Sequence, residues 1–140
     1  MKRFTLITIV WLMPLITVVA QSGLSIAPYF DGRYNKSKDV VSLNLKGSTL
    51  HPYHLMLYRS LTFKKSTPDI EHAILNDAKL AIDKETAHRD GRLLYGFYCL
   101  PPTSDKAPLR YIFYRRTVNQ TILAYLEGTA TLDALKHMFK

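Results

Sequence analysis

The chain has 140 residues, with 19 Lys and Arg against 11 Asp and Glu, a net charge of +8. That length suits one domain and excludes two independent cores. Cys99 is the only cysteine, so no internal disulfide can form and the fold must rest on packing.

Lys2 and Arg3 precede an uncharged apolar run of 16 residues, Phe4 to Val19. Val18-Val19-Ala20 then offers small or compact residues where signal peptidases cut. This is the pattern of a secretory signal peptide over residues 1–20, removed to leave residues 21–140 as a single domain. The rival reading is a retained anchor, but a spanning helix needs about 20 apolar residues, and Pro14 interrupts this run. Gln21 stands where a lipidated signal would need cysteine. The expectation is an exported protein, periplasmic or secreted, without a lipid anchor and without a transmembrane segment once the signal is cut. Loss of Lys2 and Arg3 lowers the charge to +6. The remaining cations are scattered, with Lys64-Lys65 and Arg115-Arg116 as pairs rather than runs. Nucleic-acid binders gather their basic residues on one face, so nucleic acid is not the expected partner. Attraction to an anionic glycan or lipid headgroup stays open.

In chain order, residues 24–35 read as a short helix, with Ser25 as cap, Pro28 in the first turn, and Ile26, Tyr29, Phe30 and Tyr34 near helical spacing. An extended arm is the alternative. Asp39 to Lys46 is a strand in which Val41, Leu43 and Leu45 alternate with Ser42, Asn44 and Lys46. Residues 49–63 carry both periods. Leu50, Leu57, Tyr58 and Leu61 form a helical stripe, whereas Leu55, Leu57, Leu61 and Phe63 fit a period of two; helix is the preferred reading. Ser66 to Lys84 is the clearest helix. Thr67 caps it, Pro68 opens it, Asp69 and Glu71 sit at its positive end, and Ile70, Ala73, Ile74, Ala78 and Ala81 make its apolar stripe. It frays through Lys84 to His88 into an Asp90-Gly91 turn.

Three strands follow: Arg92 to Leu100, Leu109 to Thr117 and Thr121 to Glu127, joined by a Pro101–Pro108 loop and an Asn119-Gln120 turn. Thr131 caps a last helix, Leu132 to Phe139. The expected fold class is α+β: an antiparallel sheet of about four strands, with a C-terminal three-stranded meander and helices packed mainly on one face.

Ile26-x-Pro28-Tyr29-Phe30, the Asp39-Val40-Val41-Ser42-Leu43 strand, the meander and the closing Glu127-Gly128 resemble the small exported proteins of unknown function found in Gram-negative gut anaerobes. The resemblance implies an envelope location and a small α+β domain. It brings no activity and no site residues.

No catalytic or cofactor motif stands out, and no cofactor is expected. His51 and His54 are three apart, a spacing that can chelate a metal on a helix, but no third ligand lies nearby. Cys99, among Phe97, Tyr98 and Leu100, reads as a small buried apolar residue. The meander's strands are apolar on both faces, unlike a sheet covered on one side only. One face carries Tyr98, Arg110, Tyr114, Arg116 and Tyr125, residue types enriched at binding hot spots. The expectation is a non-enzymatic interaction or structural domain that docks an envelope protein or a second copy of itself through that Tyr/Arg face. The alternative is an envelope-associated hydrolase built on the histidines of residues 51–88.

Overall fold

The computed structural model describes residues 23–34, 37–64 and 68–139. The expected signal peptide, Lys65 and the cap Thr67 lie outside the described residues. Among the described residues six strands form one sheet: β1 (Val40–Lys46), β2 (Leu55–Phe63), β3 (Asp83–Arg89), β4 (Arg92–Leu100), β5 (Leu109–Arg116) and β6 (Thr121–Gly128). Their order is β1-β2-β6-β5-β4-β3, and every neighbouring pair is antiparallel. The helices are α1 (Pro68–Asp77) and α2 (Leu132–Met138), with 3-10 turns at Ala27–Phe30, Ser48–Tyr53 and Ala78–Leu80. Among the described residues no helix is long and apolar enough to cross a membrane.

The expected α+β class, with about four strands and helices mainly on one face, is therefore corrected in two respects. The sheet has six strands, and helical pieces lie on both faces. The two extra strands come from stretches read as helix. Residues 55–63 are β2: Leu57 and Leu61 point to one face and Tyr58 to the other, so the apparent helical stripe is two faces of a strand. Residues 83–89 are β3 rather than a fraying helix end. Asp90 and Gly91, with φ of 55° and 76°, make the two-residue hairpin that turns β3 into β4. The early helix shrinks to the single turn Ala27–Phe30.

One face, here called the upper face, buries Leu61, Phe63, Leu93, Tyr98, Leu100, Ile112, Tyr114, Leu123 and Tyr125 beneath α1 and the segment that begins at Leu24. Topology explains the cover. Chain leaving β2 must reach β3 at the opposite edge, and α1 carries it across. Ile70 and Ile74 are the buried residues of its stripe, with Ala73, Ala78 and Ala81 packed alongside. Asp77 then ties down the N-terminal segment. Its buried carboxylate accepts hydrogen bonds from the backbone N–H groups of Ser25 at 2.6 Å and Ile26 at 3.0 Å. A carboxylate that receives two backbone N–H groups offsets its own desolvation.

The lower face buries Leu55, Phe97, Cys99, Tyr111, Phe113, Ala124 and Leu126 under α2 and the Ser48–Tyr53 turn. Tyr111 donates to the Ala130 carbonyl at 2.5 Å, which pins the loop into α2. Thr131 caps α2 as expected, its hydroxyl accepting from Ala134 N–H at 3.1 Å. With only seven residues, α2 cannot span the sheet, and the β1 end of this face stays open.

A bulge sets the local geometry of β4. Ala87 pairs with Tyr95 and His88 with Leu93, which leaves Leu94 as the extra residue. The alternation therefore shifts: Leu93 joins the upper core, and Leu94 faces the lower side with Tyr95. Strict alternation from Tyr98 back along β4 would put them the other way round. The Leu93 N–H donates to Glu71 Oε1 at 2.8 Å, and its carbonyl accepts from Arg116 Nε at 3.1 Å. Charged groups from α1 and β5 thus satisfy the backbone around the bulge.

Candidate functional site

Tyr98, Arg110, Tyr114, Arg116 and Tyr125 do share one face, as alternation required. Tyr98 and Tyr125 both flank Ile112, Tyr114 lies opposite Gly96, Arg110 opposite Leu100, and Arg116 opposite Thr121. That face is the covered upper one. Tyr98, Tyr114 and Tyr125 are fully buried, and Arg110 is 9% exposed with Nε donating to the Pro101 carbonyl at 3.0 Å. Tyr125 donates to the Glu127 carboxylate at 2.6 Å, and burial together with that bond pushes its phenol well above the ordinary range. Tyr98 folds over Gly96: a Cβ on that glycine would lie 2.6 Å from the tyrosine ring. Of the five, only Arg116 reaches the surface, at the end of β5.

The histidines do not converge. His51 and His54 are exposed in and after the turn that leads into β2, His72 is exposed on α1, and His88 is exposed on β3. Three strands separate β2 from β3, which puts about 20 Å between those ends of the set at ordinary strand spacing. Among the described residues no group of three or more His, Cys, Asp or Glu is placed to hold a metal. Cys99 is buried on the lower face, and its thiol is pushed up by burial first and by Asp83 second.

Two surface features lie elsewhere. The first is a cleft of about 430 Å³ on the lower face, between the end of α2 and the bulged end of β4–β5. Its floor is aromatic. Phe97 and Phe113 are 4.5 Å apart, Phe139 stacks on Phe113 at 4.5 Å, and Tyr95 meets Phe97 edge-on at 6.0 Å. Arg115, Arg116 and Lys136 complete the lining with Leu94 and Thr117. Lys136 forms an ion pair with Glu85 at 2.7 Å, which raises the ammonium's pKa. Tyr95 is raised too, by burial first and then by its hydrogen bond to Glu85. No motif in the sequence marks these rings as a site; the cleft exists because a seven-residue helix covers only part of the face they share.

The second feature is the outer edge of β1. Residues 41–46 of this strand are all exposed, and Val41, Leu43 and Leu45 stand 68%, 46% and 39% exposed. They lie on the lower face, opposite Thr62, Ser60 and Tyr58. Among the described residues no strand pairs with this edge.

A family model, DUF6108, a family of unknown function, matches residues 13–139. The chain belongs to this family. The match spans every strand and both helices, so the sheet and its two faces are the family's domain as this chain builds it. No curated protein matches the chain.

Proposed function

We propose that this member of the family is an exported, non-enzymatic interaction domain that associates with a second copy of itself along the β1 edge. The observation that carries the reading is the exposed row Val41, Leu43 and Leu45. A single surface leucine is ordinary. Three apolar side chains in line on a strand whose outer edge is unpaired among the described residues form a template for pairing, the arrangement that edge strands usually avoid. From Val41 to Leu45 the apolar/polar pattern is symmetric about Leu43. An antiparallel copy centred there sets Leu43 against Leu43, Val41 against Leu45, and Ser42 against Asn44. Both apolar rows then fall on one face of a continued sheet, as an isologous contact requires. Export is supported by Lys2-Arg3, the Phe4–Val19 run and Val18-Val19-Ala20.

Sedimentation across a concentration series tests the association. The expected result is a reversible dimer, converted to monomer by Leu43→Lys with no loss of thermal stability. A wild-type chain that stays monomeric throughout overturns the proposal. Mass analysis of the protein recovered from the producing cells tests export, with a chain starting at Gln21 as the expected outcome.

A further inference from the structure

We propose that the lower-face cleft is a binding site for a small amphipathic acid, an apolar chain or ring that carries one carboxylate. The inference is independent of the β1 edge. A volume of about 430 Å³ lies within the range of small-molecule sites, about 300–1,000 Å³. Its floor of phenylalanine rings supplies apolar area and no hydrogen bonds, so it selects an apolar body. The bulge turns Leu94 into the lining, which adds an aliphatic side chain to the apolar wall.

Charge selects the other end of the ligand. The lining holds three cations and no aspartate or glutamate. Lys136 is matched to Glu85, but among the described residues neither Arg115 nor Arg116 forms an ion pair with a carboxylate. Arg115 donates from one nitrogen to the Phe139 carbonyl at 3.3 Å, and Arg116 uses Nε on Leu93. Each guanidinium carries five N–H donors, so both retain donors in the fork geometry that fits a carboxylate. The bond from Arg115 to the Phe139 carbonyl also holds its charge at the end of the chain that closes the cleft. Glu85 argues for one acid group rather than several. It hydrogen-bonds Tyr95 and pairs with Lys136 at the other side, where a second anion would meet repulsion. A polyanionic glycan would leave most of its charges over the rings without partners.

Titration of the purified protein with decanoate tests the proposal, with decanol and 3-phenylpropionate run in parallel and ring signals followed by NMR. Saturable shifts at Phe97, Phe113 and Phe139 are expected with both acids, and at least tenfold weaker binding with decanol. Arg115 is exposed on β5, so Arg115→Gln leaves the fold intact and is expected to weaken decanoate at least tenfold. Leu43→Lys is expected to bind decanoate as the wild type does, which separates this site from the dimer edge. Equal binding of decanoate and decanol, an unchanged Arg115→Gln titration, or shifts confined to β1 would overturn the proposal.

Discussion

The two edges of this sheet are built from opposite chemistry. β3 reads Asp-Lys-Glu-Thr-Ala-His-Arg, with Ala87 its only apolar residue, and Lys136 of α2 bonds to its Glu85. β1 reads Val-Val-Ser-Leu-Asn-Leu-Lys, and its Val41, Leu43 and Leu45 are exposed. Charge on β3 blunts strand addition in the way natural edge strands commonly do. β1 has no such protection along its middle. Burial explains the leucines of a central strand, but not Leu43 and Leu45, which stand 46% and 39% exposed. One edge is thus blunted by charge within the chain, and the other is the edge on which the proposed pairing rests.

The edges are also anchored differently, and the largest expected effect comes from the anchor on the β1 side. Gly128 ends β6 against the chain entering β2. A Cβ there would lie 2.7 Å from Leu55 Cα and closer still to the His54 carbonyl oxygen. Both contacts are backbone, so no side chain can swing aside. Gly128→Ala is expected to cost about 3 kcal/mol, read as a lower urea midpoint, with hydrogen exchange rising first in β1 and β2. An unchanged midpoint would show that β2 docks without this close approach. On the β3 side the anchor is Glu71, which receives the Leu93 N–H and the Arg92 guanidinium. Arg92 is 43% exposed, so its ion pair adds little. The unsatisfied Leu93 N–H dominates, and Glu71→Ala is expected to cost about 2 kcal/mol. Faster exchange should then appear at the β3–β4 hairpin and not in β1; the reverse pattern would refute the assignment of anchors.

The same contrast explains what the sequence made legible. β4, β5 and β6 sit in the middle of the sheet, apolar on both faces and bounded by Pro101-Pro102, Pro108 and Gly128, so their existence and limits could be read directly. β1 could be read because its alternation is clean. β2 was hidden because its apolar residues serve two faces and its register shifts between Leu55 and Leu57, which let Leu50, Leu57, Tyr58 and Leu61 mimic a helix. β3 was hidden because charge blunts both its faces. Asp90-Gly91 between Arg89 and Arg92 was the available signal, since that dipeptide favours a two-residue hairpin and so requires a strand before it. The Tyr/Arg face was grouped correctly by alternation. Its cover follows from α1 crossing from β2 to the β3 edge, which is visible only once β2 and β3 are both known to be strands.

A smaller effect compares the two covered faces in alkali. Tyr98 on the upper face and Tyr111 on the lower are both pushed up from 10 to about 12, chiefly by burial. The unfolded chain loses these protons near pH 10 while the folded chain holds them. The unfolded state therefore binds fewer protons above pH 10, and stability falls from there through about pH 12. Either substitution by phenylalanine should flatten that fall. They should differ at neutral pH. Tyr111→Phe loses the 2.5 Å bond to Ala130 and is expected to cost about 1 kcal/mol. The Tyr98 hydroxyl has no hydrogen-bond partner among the described residues, so Tyr98→Phe is expected to be neutral or stabilising. Urea unfolding between pH 7 and 11.5 measures both, and equal losses at pH 7 would contradict the structure.

The smallest effect on stability is expected where the two edges are made alike. Lys84 and Thr86 are exposed on β3, on the upper face, opposite Tyr98 and Gly96. Replacing both with valine removes a gatekeeping charge and raises strand propensity without touching the core. Surface changes of this kind usually stay within about 0.5 kcal/mol, so the melting temperature should hardly move. Association should move, because β3 would then present an apolar row as β1 does. Combined with Leu43→Lys, the double valine variant is expected to associate through β3 while β1 is blocked. If it stays monomeric at concentrations where the wild type pairs, an apolar edge is not enough, and the symmetric pattern about Leu43 is what β1 contributes beyond hydrophobicity.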